Sequence, residues 1–180
     1  MRVYLPLVPS TLADLSAAGV LPGPLTAYTV TGALSRWVHE SARADPGHAD
    51  DLDAEEYEYA ALGEASRESL RRLAGGDMAA DACRVVVAAD VGDRSVLEVA
   101  DGWPGEVRLT DPLTRSQVVS VHVDDLDAAD AVRAAAAAVG LADDGDEAAE
   151  LVVGAADDAE LLWYAAEELT LLVGERRFGR

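Results

Sequence analysis

Strands interleaved with helices predict a single α/β to α+β domain, a mixed β-sheet of about five or six strands with helices packed on it. Three stretches carry that prediction. Arg84–Val91 (RVVVAADV) and Val118–Val123 (VVSVHV) are short β-branched runs, the form of strands buried on both faces. Between the first strand and these runs lies Ala54–Ala74, far longer than a strand, with Leu62, Ser66, Ser69, Leu70 and Leu73 recurring at helical spacing.

The remaining elements follow in order. Arg2–Val8 alternates as a strand, and Pro9-Ser10-Thr11 starts a helix in which Thr11 and Asp14 are placed as a capping box. Leu12, Leu15 and Ala18 supply its buried stripe and Gly19 its stop. Pro22-Gly23-Pro24 turns the chain into a strand at Leu25–Val30, and a short helix follows around Leu34–His39. Residues 41–53, with Pro46-Gly47 among polar neighbours, read as a flexible loop. On the long helix Tyr59 joins the apolar stripe, while Glu64–Arg67, Glu68–Arg71 and Glu68–Arg72 are spaced to pair outside it. Ser95–Ala100 is an edge strand, Glu106–Thr110 another strand, and Asp111–Gln117 one helical turn.

Gln117–Gly140 is the most explicit unit: a strand, an acidic turn (Asp124, Asp125, Asp127, Asp130) and a helix stopped at Gly140. An acidic loop at Asp143–Glu147 leads to a short helix, Leu161–Tyr164 forms a last, buried strand, and Ala165–Val173 a last helix. The single domain spans residues 1–173, and residues 174–180 are a frayed tail. The segments MRVYLP, RVVVAADV, VVSVHVDD and ELLWYA, in this order, resemble an uncharacterised actinobacterial family, a domain of unknown function. The resemblance spans most of the chain and implies no catalytic residue.

Composition excludes more than it suggests. The chain has no Lys, Asn or Ile, as a GC-rich coding sequence would leave it. Without lysine there is no phosphate-loop lysine and no Schiff-base lysine. The lone Cys83, expected to be buried, allows no internal disulfide and no paired-cysteine metal site. Neither a nucleophile elbow nor a dinucleotide glycine fingerprint occurs, so no cofactor is expected. A net charge of −20 opposes binding to nucleic acid or an anionic membrane and favours a basic protein or a metal ion as partner. No signal peptide or membrane span is legible, and the expected location is the cytoplasm.

The sharpest chemical candidate is His122 with Asp124 and Asp125, at a strand end where open α/β sheets place ligands. An imidazole beside carboxylates can act as a base or hold a metal. Two ligands from one strand are too few for a catalytic metal, so Asp90, at the end of the other buried strand, or His39 or His48 would have to join them. Asp90 and Asp124 meet only if their strands run parallel. The competing reading makes Asp124 or Asp125 a helix cap. These observations favour a non-enzymatic, acidic protein-interaction or regulatory domain over a small metal-assisted or acid–base enzyme.

Overall fold

The computed structural model describes residues 1–44, 53–76, 82–176 and 178. Its central strand is the N-terminal one, β1 (Arg2–Leu7), followed by α1 (Pro9–Ala18), β2 (Val20–Leu21), β3 (Leu25–Tyr28), α2 (Gly32–Ala44) and α3 (Ala54–Gly75). Then come β4 (Val85–Asp90), β5 (Val96–Glu98), β6 (Glu106–Leu109), β7 (Leu113–Thr114) and β8 (Val118–Val123). The chain closes with α4 (Ala129–Asp143), α5 (Glu147–Asp157), β9 (Leu162–Ala165) and α6 (Leu169–Arg176).

The fold class is the one the sequence predicts, with one seven-stranded sheet in the order β5-β6-β3-β1-β4-β8-β9 and a small β2–β7 pair. Every neighbouring pair in the large sheet runs antiparallel. The expected sheet of five or six strands with mixed directions is therefore a seven-stranded antiparallel one, because apolar patterning marks a strand but not the direction of its neighbour. β4 and β8 are indeed adjacent, with Val87 opposite Val121 and Val85 opposite Val123. β8 is one strand from the edge, however, and β1 holds the middle.

Alternation along β1 and β4 explains their unbroken apolar runs. Val3, Leu5, Val85, Val87 and Ala89 face α1 and α6, joined by Leu12, Leu15, Leu169 and Leu172. Tyr4, Val86 and Ala88 face the other way, against Tyr28, Leu34, Ala61 and Ala65 of β3, α2 and α3. The α4–α5 hairpin packs on α3 through Leu70, Leu73, Val132, Ala135, Val139 and Val153, adding a further layer on that side. A sheet covered on both faces needs both sides of its central strands apolar.

Local signals fix most element ends. α1 starts at Pro9, suited to a first helical turn, and stops at Gly19 with φ 72°; Thr11 and Asp14 lie inside it and form no cap. Asp53 and Glu56 close a reciprocal capping box on α3. α4 passes through Gly140 to Asp143, because its apolar face continues through Val139 and Ala142 onto α3. Of the loop read at 41–53, the first residues extend α2 to Ala44 and Asp53 caps α3; residues 45–52 lie outside the described set. Where the sequence suggests a frayed tail, α6 continues to Arg176 and Phe178 is buried in the core. No helix of the described residues is long and apolar enough to cross a membrane.

Candidate functional site

The antiparallel pairing of β4 and β8 separates the residues that an acid–base or metal site would need. Asp124 leaves β8 beside Arg84, at the start of β4, whereas Asp90 ends β4 at the opposite edge of the sheet. The two residues stand a strand length apart, roughly 20 Å for six residues. Asp90 is exposed and paired with Arg2 Nε at 2.7 Å. Asp125 caps the turn Leu126–Ala128, accepting from Asp127 N–H at 3.3 Å. His122 Nε2 pairs with Ser120 Oγ at 3.1 Å rather than with Asp124, and burial lowers its affinity for a proton. His39 bonds the Tyr57 hydroxyl at 2.8 Å, and His48 lies outside the described residues. Among the described residues, no group of three His, Cys, Asp or Glu is placed to hold a metal.

Asp124 itself is fully buried against a fully buried Arg84. Its carboxylate accepts from Arg84 backbone N–H at 2.6 Å, from Nη2 at 2.7 Å and from Nε at 3.1 Å. Arg84 reaches further, donating to Asp157 at 2.9 Å and to the carbonyls of Ala156 and Ala159 at 2.6 and 3.1 Å. The pair locks the end of α5 onto β4 and β8. A carboxylate with these partners has few lone pairs left for other chemistry.

A different concavity lies beside that lock. One compartment, about 530 Å³, opens along α3 between α2 and the segment from α5 to β9, with Trp37, Tyr59, Gly63, Ser66 and Glu160 in its walls. A second, about 410 Å³, is bounded by Trp103 and Pro104 of the β5–β6 turn and by the α4–α5 corner. Trp37, Glu64 and Arg67 line both, which makes them one cleft. Residues 59, 63, 66 and 67 share a helical face, so a single stripe of α3 forms its floor. Trp37, Tyr59 and Trp103 are 42%, 71% and 45% exposed, large apolar surfaces left uncovered together.

The charges of the cleft are unevenly spent. Arg67 does not pair with Glu64 as its spacing suggested; it donates to Asp143 at 3.2 Å and to Glu150 at 2.8 Å. Arg71 binds Asp143 at 2.7 Å and lies over the Trp103 ring, 4.2 Å from its centroid. Asp143, read from the sequence as part of a solvated loop, therefore joins α3 to α4, and the Arg71 hydrogen bond holds its carboxyl below the usual range. Glu64 and Glu160 make no hydrogen bond or ion pair with a described residue. Partial burial raises the Glu64 carboxyl above its ordinary value, against the pull of Arg71 and Arg67. Ser66, 5% exposed, has an Oγ with no hydrogen-bond partner among the described residues.

Sequence reasoning did not find this cleft. Trp37 and Trp103 lie on different elements, with no spacing rule linking them. Trp163, expected to be buried in the last strand, is 62% exposed; Tyr164 takes the core-facing position instead. One signal was present: Gly63 interrupts the longest helix, at a position where the fold itself has no need of glycine.

The chain belongs to DUF6912, a family of unknown function, whose model matches residues 1–173. No curated protein and no solved structure matches it.

Proposed function

We propose, since membership of this family brings no activity with it, that the chain is a non-enzymatic protein-interaction domain and that the cleft over α3 is its partner-binding surface. The observation that carries the reading is the exposure of Trp37, Tyr59 and Trp103 around one concavity. Large aromatics supply most of the energy at protein interfaces, and leaving three of them wet in one place costs a free domain solubility. The net charge of −20 supports a basic partner and opposes nucleic-acid phosphates. The single cysteine, buried and unpaired, suits a reducing compartment such as the cytoplasm. The enzyme alternative loses its geometric support, because His122, Asp124 and Asp90 do not share a cleft.

Site-specific photo-crosslinking in the native cell tests the proposal. A benzophenone amino acid at position 59 is expected to trap a discrete partner. The same group at position 14, an exposed site on α1, is expected to trap none. Gly63→Leu, which fills the cleft, is expected to abolish the product. Equal labelling from both positions, or a product indifferent to Gly63→Leu, refutes the cleft as the binding surface.

A further inference from the structure

We infer that the cleft over α3 seats a cationic side chain from a basic segment of the partner, held by the Glu64 carboxylate with the indole of Trp37 beside it. The inference rests on the interaction-domain reading and names the chemistry recognised at its surface. Four observations converge on it.

The first is charge accounting. The two arginines in the walls, Arg67 and Arg84, are committed to Asp143, Glu150, Asp124 and Asp157. Of the charged residues that line the cleft, those left without an ion pair to a described residue are carboxylates, Glu64 and Glu160. A half-buried carboxylate that makes no direct ion pair keeps part of its desolvation cost, because Arg71 and Arg67 offset it only in part, so the cleft as it stands favours the arrival of a cation.

Aromatic surface is the second. Indole faces attract guanidinium and ammonium groups. The molecule already makes this pairing next door, with Arg71 over Trp103 at 4.2 Å. Trp37 lines the same two compartments as Glu64 and remains 42% exposed. An aromatic wall and a free carboxylate together fit a cation better than either fits a neutral ligand.

Third, Ser66 lines the same compartment with its Oγ unpartnered although the residue is 5% exposed. Buried hydroxyls are nearly always paired, so this one, its Oγ sealed from solvent, holds unspent hydrogen-bonding capacity that a local shift of the cleft wall would bring to an N–H donor.

The fourth is Gly63. Glycine in a helix interior is disfavoured relative to alanine, and here no left-handed backbone requires it. A Cβ at this position would meet nothing within 4 Å, so packing does not require glycine either. What its missing side chain provides is open floor along the stripe of α3 between Tyr59 and Ser66.

The test is fluorescence anisotropy with a labelled peptide of glycine and two arginines, and a counterpart with glutamates, at about physiological ionic strength, where long-range attraction is screened. The arginine peptide is expected to bind and the glutamate peptide not. Glu64→Gln is expected to weaken binding about tenfold, the scale of one charge-assisted hydrogen bond. Asp14→Asn removes the same charge at a remote exposed site and is expected to leave affinity unchanged. Gly63→Leu keeps the charge and fills the floor; binding is expected to vanish while the melting temperature is maintained. Equal weakening by Glu64→Gln and Asp14→Asn would reduce the effect to general acidity and overturn the inference, as would full binding by Gly63→Leu. If crosslinking from position 59 succeeds while the arginine peptide fails to bind, the interaction surface stands and only the cation assignment falls.

Discussion

Replacing Asp124 with asparagine tests the structural role assigned to the strand end. The carboxylate is fully buried and meets the Arg84 backbone N–H, Nε and Nη2. Removing its charge leaves a buried guanidinium opposed only by Asp157, and breaking a buried pair in this way costs about 3–5 kcal/mol. With a urea slope of about 2 kcal/mol per molar, the midpoint should fall by about 1.5–2.5 M. Arg84→Met should cost a similar amount, because it also releases the carbonyls of Ala156 and Ala159. The double variant Arg84→Met with Asp124→Leu replaces both charges by apolar groups. It leaves no buried charge unpaired, only two carbonyls and one amide at about 1 kcal/mol each and about 3 kcal/mol together, so its loss should resemble a single variant rather than the sum. Urea unfolding at pH 7, followed by circular dichroism, measures all three. Additive losses, or singles within about 0.5 kcal/mol of wild type, would refute the account.

Two further outcomes follow from the same structure. Burial, reinforced by Asp124, pushes the Cys83 thiol up to about 12, so a disulfide reagent at pH 8 should leave the native protein unmodified and react fully only in urea; rapid native labelling would contradict the buried placement. Asp143 has its carboxyl depressed chiefly by the Arg71 hydrogen bond, so its contribution to stability is present above the unfolded value, about 4, and is lost as pH falls through the lower folded one. Asp143→Asn should therefore cost about 1–3 kcal/mol at pH 7 and flatten the acid limb of the midpoint-against-pH curve, whereas a parallel curve would sink the assignment.

What the sequence determined by itself is most of the elements and the buried faces of the longest ones; it missed the short β2 and β7 strands and misplaced Tyr59 and Trp163. β-branched runs at Arg84–Val91 and Val118–Val123, helical spacing along Ala54–Ala74, and stops at Gly19 and Gly75-Gly76 act locally, within a few residues of where their effect is felt. Tertiary structure decided the rest. Strand direction came from the pairing of β4 with β8, which carried Asp90 to the far edge and left Asp124 to Arg84. Gly140 stayed helical because α3 offered its neighbours Val139 and Ala142 a surface to bury against, an influence no local rule contains. The ion pairs were redirected in the same way: helical spacing offered Glu64 to Arg67, but α4 and α5 brought Asp143 and Glu150 closer. The cleft was illegible for a related reason. Trp37, Gly63, Glu64 and Trp103 come from three elements, and only packing places them together; a sequence records which side chains exist, while exposure and companionship arise from contacts between distant segments.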